Sequence, residues 1–162
     1  MVLEVEQVKQ EDKIVVKHLM QLYKYDFTEF DPEDVNERGL YEYTYLDDYW
    51  REPTRFPFLI NVNDVYAGFA LIREVTENDR TYYSMAEFFV MKKYRRNGTG
   101  KQAAFQLFRH FPGCWQVAEM EENIPAQAFW RNIIAAYTNN KYEEIRKKDW
   151  DGPIQTFIST NR

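Results

Sequence analysis

The chain is poor in the residues that usually carry covalent or metal chemistry. Cys114 is the single cysteine in 162 residues, so no intramolecular disulfide can form, which suits a reducing compartment and a cytoplasmic location. His18 and His110 are the only histidines. They fall on separate segments, no GxSxG accompanies them, and no ligand cluster surrounds either, so no hydrolase triad and no metal site is expected. Both are read as structural or exposed. No stretch reaches the roughly 20 apolar residues of a membrane span, and Met1 to Lys17 lacks the apolar run of a signal peptide. Positive charge is in deficit: 21 Lys and Arg face 26 Asp and Glu, a net charge of -5. That field repels nucleic acid and anionic membranes, so neither is expected as a partner. Repeats, linkers and low-complexity segments are missing too, so residues 1–162 read as one domain, long enough to bury a core without staples.

Aromatic residues, by contrast, make up 17% of the chain, with twelve Tyr, twelve Phe and four Trp. They can fill a core or line a pocket for a flat or cationic ligand. Val2 to Val8 alternates as a strand, and residues 11–27 have helical spacing at Ile14, Leu19, Leu22 and Tyr23. Residues 31–55 are irregular, rich in Tyr and acids, and read as loop with short helices. Phe56 to Val62 and Val65 to Val75 are strands, and the Asn63–Asp64 pair between them suits a hairpin turn. Tyr82 to Met91 is a further strand, followed by the basic turn KKYRRNGTGK and a helix with apolar Ala103, Ala104, Leu107, Phe108 and Phe111. Trp115 to Met120 is a strand, Pro125 opens a helix through Tyr137, and strands at Tyr142–Lys148 and Ile154–Ser159 close the chain. The order βα, hairpin, βαβαββ predicts a mixed α/β fold with one central sheet between helices.

The run Arg95-Arg96-Asn97-Gly98-Thr99-Gly100-Lys101 lies between strand and helix, where small residues expose backbone N–H groups at the positive end of the helix dipole. Lys92, Lys93, Arg95, Arg96 and Lys101 crowd this helix start, an unfavourable placement that a bound polyanion would reverse. A solvated turn is the plainer reading. A P-loop is excluded, because Arg95 and Gln102 stand where that motif needs Gly and Ser or Thr. Gly98, Gly100 and Ala103 match the dinucleotide pattern GxGxxA, with Glu119 and Glu121 near the distance for a ribose-binding acid. Yet about eight residues part Val90 from Gly98, and about 40 remain after Glu121, too few for a doubly wound half-sheet.

Arg95, Gly98 and Gly100 also fit the pattern of Gln or Arg, two residues, Gly, one residue, Gly or Ala, and here the chain resembles the GNAT acetyltransferases. Residues 87–95, EFFVMKKYR, look like that family's acyl-binding strand and the start of its turn, and Asn123, Ala126, Ala128 and Phe129–Trp130 like its next helix. The resemblance covers roughly residues 82 to 137. It implies a single mixed, largely antiparallel central sheet flanked by helices, the acyl-CoA N-acyltransferase-like fold. It also implies acetyl-CoA as cosubstrate, no metal, and transfer of an acetyl group to a primary amine on a small molecule or peptide. A non-catalytic acyl-CoA sensor or interaction module is the alternative.

The resemblance assigns the coenzyme to Arg95, Arg96, Asn97, Gly98, Thr99, Gly100 and Lys101, and the oxyanion to the backbone N–H of Val90. Glu87, inside an apolar strand, is the candidate base, since burial raises a carboxyl pKa; a solvent-facing or ion-paired Glu is the other reading. Trp130 stands where many family members carry the tyrosine that protonates the thiolate. An indole cannot release that proton, so either Tyr137 or solvent supplies it. Asn123 holds the pantetheine arm or caps the helix, and Phe129 and Trp130 pack the core or the pantetheine. Tyr41, Tyr43, Tyr45, Asp47, Asp48, Tyr49 and Trp50 can hold a cationic acceptor or simply pack on the sheet. An exposed strand edge would permit a homodimer.

Overall fold

The computed structural model describes residues 1–160. Its strands are β1 Leu3–Gln7, β2 Arg55–Val62, β3 Val65–Glu77, β4 Arg80–Val90, β5 Gly113–Ala118, β6 Glu143–Ile145 and β7 Ile154–Ser159, in the order β1-β2-β3-β4-β5-β7-β6. All neighbours are antiparallel except β4 and β5. The sheet is thus the mixed, largely antiparallel one expected. Asn63 and Asp64 both adopt positive φ, at 49° and 65°, which gives the β2–β3 hairpin its tight turn. A second such turn, Asn78–Asp79, joins β3 to β4. The sequence reading stopped β3 at Val75 and began β4 at Tyr82, because Thr76, Glu77, Arg80 and Thr81 form an exposed polar tip without apolar alternation.

β3 is buried on both faces, so it reads as a continuous apolar run. Phe69 and Leu71 face α1 (Lys13–Phe27) and the short helix Leu46–Trp50, meeting Val16, Leu19, Met20, Leu46 and Tyr49. Ala70 and Ile72 face α2 (Thr99–His110) and α3 (Ile124–Thr138), in one cluster with Leu107, Phe108, Trp130 and Ile134. On α1 the inward face is Val16, Leu19 and Met20; Ile14 and Leu22, expected there from spacing, are exposed. β6 is shorter than the expected Tyr142–Lys148, because after Ile145 the chain leaves the sheet: Arg146 pairs with Glu121, and Lys147 with Glu77.

Two irregularities shape the middle of the sheet. Leu71 is opposite Glu87 and Ile72 opposite Met85, which leaves Ala86 as a bulge in β4. β4 and β5 pair only at Tyr83–Trp115 and Ser84–Gln116, so beyond these residues the parallel strands part. Gly68 in β3 meets Val90 at the far end of β4, where a Cβ on Gly68 would lie 1.9 Å from the Phe89 carbonyl oxygen. Gly68→Ala is therefore expected to destabilise the fold by about 1–3 kcal/mol, as overpacking does, seen as a lower melting temperature in thermal denaturation.

Candidate functional site

After β4 the chain makes one short helical turn, Lys92–Tyr94, extends at Arg95, and takes positive φ at Arg96 (66°) and Gly98 (77°) before α2 begins. Gly98 supplies a left-handed conformation at no steric penalty. No side chain caps α2, and among the described residues the N–H groups of 96–101 have no acceptor. A helix start with open donors and the cations Arg96 and Lys101 can hold an anion. Thr99 is buried, and Gly100 faces α3, where a Cβ would come within 2.9 Å of the Phe129 ring. The Arg95 side chain has partners within the protein. Its guanidinium turns inward: Nε donates to the Val90 carbonyl at 2.7 Å and Nη2 to Asp26 Oδ2 at 2.8 Å.

The Met91 N–H bonds to the Ala67 carbonyl at 2.8 Å, so by antiparallel alternation the next position inward, Val90, turns its N–H away from β3. That side is the gap left by β5. Phe88, Phe129 and Trp130 wall the same region on the α3 face, with Phe88 5.0 Å from Trp130 and 5.9 Å from Phe129, ring centre to ring centre. Asn123 caps α3, its Oδ1 accepting from the Ala126 N–H at 3.1 Å.

Tyr137 is not brought here. It lies two helical turns beyond Trp130, packs on Phe105 and Phe108, and its hydroxyl shares a 2.7 Å hydrogen bond with Ser159. Of the two proton sources expected for the thiolate, Tyr137 and solvent, this placement favours solvent.

Glu87 sits on the opposite face, against α1. The Tyr23 hydroxyl donates to Glu87 Oε2, and the Tyr43 hydroxyl to Oε1 at 3.2 Å. Burial raises the Glu87 pKa above the ordinary carboxyl value; the two tyrosine hydrogen bonds pull it down and recover only part of the shift. Tyr23 and Tyr43 are both raised, by burial first and by the Glu87 charge second, so they stay protonated and donate. Tyr49, 2% exposed, has no partner for its hydroxyl among the described residues, and burial pushes it up to about 12. The other aromatic candidates serve the protein itself. Arg55 lies over Tyr45 and Tyr49, Lys13 over Trp50 and against Asp47, and Trp50 donates to the Val8 carbonyl. Tyr23 escaped the sequence reading, since it looks like one more apolar-face residue of α1 and nothing local ties it to Glu87, 64 positions away.

Of the two acids near the distance for a ribose, one is paired on the surface and the other is buried. Glu121 pairs with Arg146 at 2.7 Å. Glu119 is 4% exposed, and neither carboxyl oxygen has a hydrogen-bond partner among the described residues. Burial pushes its pKa up to about 8, with Gln155 and Arg131 pulling down and Glu144 pushing up.

The model of the acetyltransferase (GNAT) family matches residues 17–133. No curated protein sequence matches the chain. Among solved structures, a GNAT-family acetyltransferase from Staphylococcus aureus Mu50 is similar, with a TM-score of 0.66 at 15% identity, covering 98% of this chain and 100% of that one. So is the spermidine N-acetyltransferase of Vibrio cholerae in complex with CoA and spermine: TM-score 0.65, 9% identity, 97% of this chain and 95% of that one. An aminoglycoside acetyltransferase from an uncultured soil metagenomic sample, in complex with sisomicin, gives 0.60 at 16% identity over 81% of this chain and 86% of that one. At these identities the likeness shows the fold.

A carboxyl whose folded pKa is raised stabilises the fold below its unfolded pKa and loses that contribution as pH rises through the folded one. For Glu119 the window runs from the ordinary value of 4.5 to about 8. The melting temperature is expected to fall as pH rises from 5 to 9, and Glu119→Gln to shrink that fall by roughly 5 °C, measured by differential scanning calorimetry across pH.

Proposed function

This chain belongs to the GNAT acetyltransferase family, and from that membership we propose that it transfers an acetyl group from acetyl-CoA to a primary amine. The observation that carries the reading is the division of labour on β4. Glu87 meets the acceptor face through Tyr23 and Tyr43, while three residues on Val90 faces the gap that leads to the open donors of α2. These residues fit acetyl-CoA: unpaired N–H groups and free cations suit a pyrophosphate, and the parted strands suit a narrow arm between them.

Acetyl-CoA supplies an activated thioester carbonyl. The backbone N–H groups of 96–101, with Arg96 and Lys101, hold the phosphates; Asn97, Gly98, Thr99 and Gly100 contribute through the main chain. Arg95 acts from the inner side of the turn. Trp130 and Phe129 pack the arm, and Asn123 fixes the start of the helix that carries them. The Val90 N–H stabilises negative charge on the carbonyl oxygen. Glu87, its pKa raised by burial, takes a proton from the acceptor ammonium so that the free amine attacks the carbonyl carbon, and the Tyr23 and Tyr43 hydroxyls orient its carboxylate. With Tyr137 tied to Ser159, the thiolate takes its proton from solvent. A buried carboxylate ringed by phenols favours a cationic acceptor. Structural neighbours named for spermidine and for aminoglycosides support an amine bearing several positive charges.

Calorimetric titration is expected to show micromolar acetyl-CoA binding and no heat with NAD; no heat with either form of CoA overturns the reading. Gly98→Glu is expected to abolish binding by placing bulk and negative charge at the turn, and Arg96→Ala to weaken it. Glu87→Gln is expected to lower turnover about 100-fold with little change in coenzyme affinity, measured by thiol release against an amine panel. Binding without turnover across that panel would favour the sensor reading.

A further inference from the structure

Arg95 opens the coenzyme turn, yet its guanidinium points back at the end of β4 and at α1. Its Nε holds the Val90 carbonyl at 2.7 Å, its Nη2 holds Asp26 Oδ2 at 2.8 Å, and its Cζ lies 5.8 Å from the centre of the Phe89 ring. Lys92 Nζ approaches the other Asp26 oxygen at 4.0 Å. Asp26 lies three residues beyond Tyr23 on α1, and Val90 three residues beyond Glu87 on β4. α1 therefore grips the reactive stretch of β4 at both ends: directly at Glu87 through Tyr23, and at Val90 through Asp26 and Arg95. Three residues of helix advance about 4.5 Å, whereas three of strand advance about 10 Å. From one helical turn beyond Tyr23 the short Asp26 side chain does not match that spacing alone, and the long arginine spans the difference.

We propose that Asp26 and Arg95 form a positioning pair for acyl transfer, in which Asp26 aims the guanidinium at the Val90 carbonyl and so fixes the Val90 N–H in the gap. The inference rests on the reading of Val90 as the oxyanion donor of an acetyl-CoA enzyme. Stability is not the reason for the pair. Both side chains are about one-third exposed, at 35% and 37%, where an ion pair contributes little to folding. Phosphate binding is a poor account too, because two guanidinium nitrogens already donate within the protein.

Acetyl-CoA and CoA share their phosphates and the amides of the pantetheine arm, but only acetyl-CoA carries the thioester carbonyl assigned to the Val90 N–H. Calorimetric titration of wild type, Asp26→Asn and Arg95→Met with both ligands separates the two roles. Both variants are expected to lose about three- to tenfold in acetyl-CoA affinity, the worth of one neutral hydrogen bond, with CoA affinity and melting temperature near wild type. Asp26→Glu is expected to restore part of the loss, and Arg96→Ala to weaken both ligands together. The Val90 amide resonance, displaced by acetyl-CoA in the wild type, is expected to move less in Asp26→Asn, which carries the test if Arg95→Met does not fold. Equal weakening of both ligands makes Arg95 a phosphate contact and overturns the proposal. Unchanged affinities with an unchanged Val90 response also overturn it. Wild-type protein that binds neither ligand removes the acetyl-CoA reading itself, a failure distinct from that of the pair.

Discussion

β4 packs against helices on both faces, and everything at the site depends on which of its side chains goes to which face. The bulge at Ala86 sets that assignment. Strict alternation from Met85, which packs with the α2–α3 core, would send Glu87 to the same face. The extra residue reverses the parity, so Glu87 and Phe89 turn to α1 while Phe88 and Val90 turn to α2 and α3. A carboxylate placed among Phe108, Trp115 and Trp130 would lie among aromatic rings, with the Trp115 indole N–H already given to the Phe111 carbonyl. Turned toward α1, it meets two phenols.

Charge is divided along the same strand. Beyond β4 the free cations gather at the start of α2, where the helix dipole disfavours them, so that end is poised for an anion. Before and around it, the segment from Asp26 to Asp48 carries nine acidic residues against the single Arg38. Several of these acids are neutralised within the protein, Asp26 by Arg95, Glu33 by Lys24 and Asp47 by Lys13. The modest net charge of the whole chain therefore conceals two local regions of opposite sign.

Two buried carboxyls show how context decides protonation. Glu87 and Glu119 are both pushed upward by loss of water, but Glu87 receives two hydroxyl donors and Glu119 has no hydrogen-bond partner among the described residues. The two hydroxyls favour the charged carboxylate of the first. The second favours its protonated form under α3, where an O–H can donate to the neighbouring Gln155, whose own amide oxygen also lacks a partner.

Local signals in the sequence determined the elements and the glycine turn before α2. Apolar periodicity marked α1, α2 and α3, Asn63–Asp64 marked a hairpin, and glycines among cations marked the start of α2, because propensity, turn chemistry and dipole effects act within a few residues. The acidic residue in an apolar strand was likewise visible at Glu87. Its partner Tyr23, the inward turn of Arg95 to Asp26, and the removal of Tyr137 to Ser159 were decided only by the tertiary structure. Each joins residues distant in the chain, and each depends on a one-residue shift in β4 register or on the packing of a helix against the sheet. Local sequence carries no record of those choices, since a bulged and an unbulged strand share the same composition and differ only in what lies across from them.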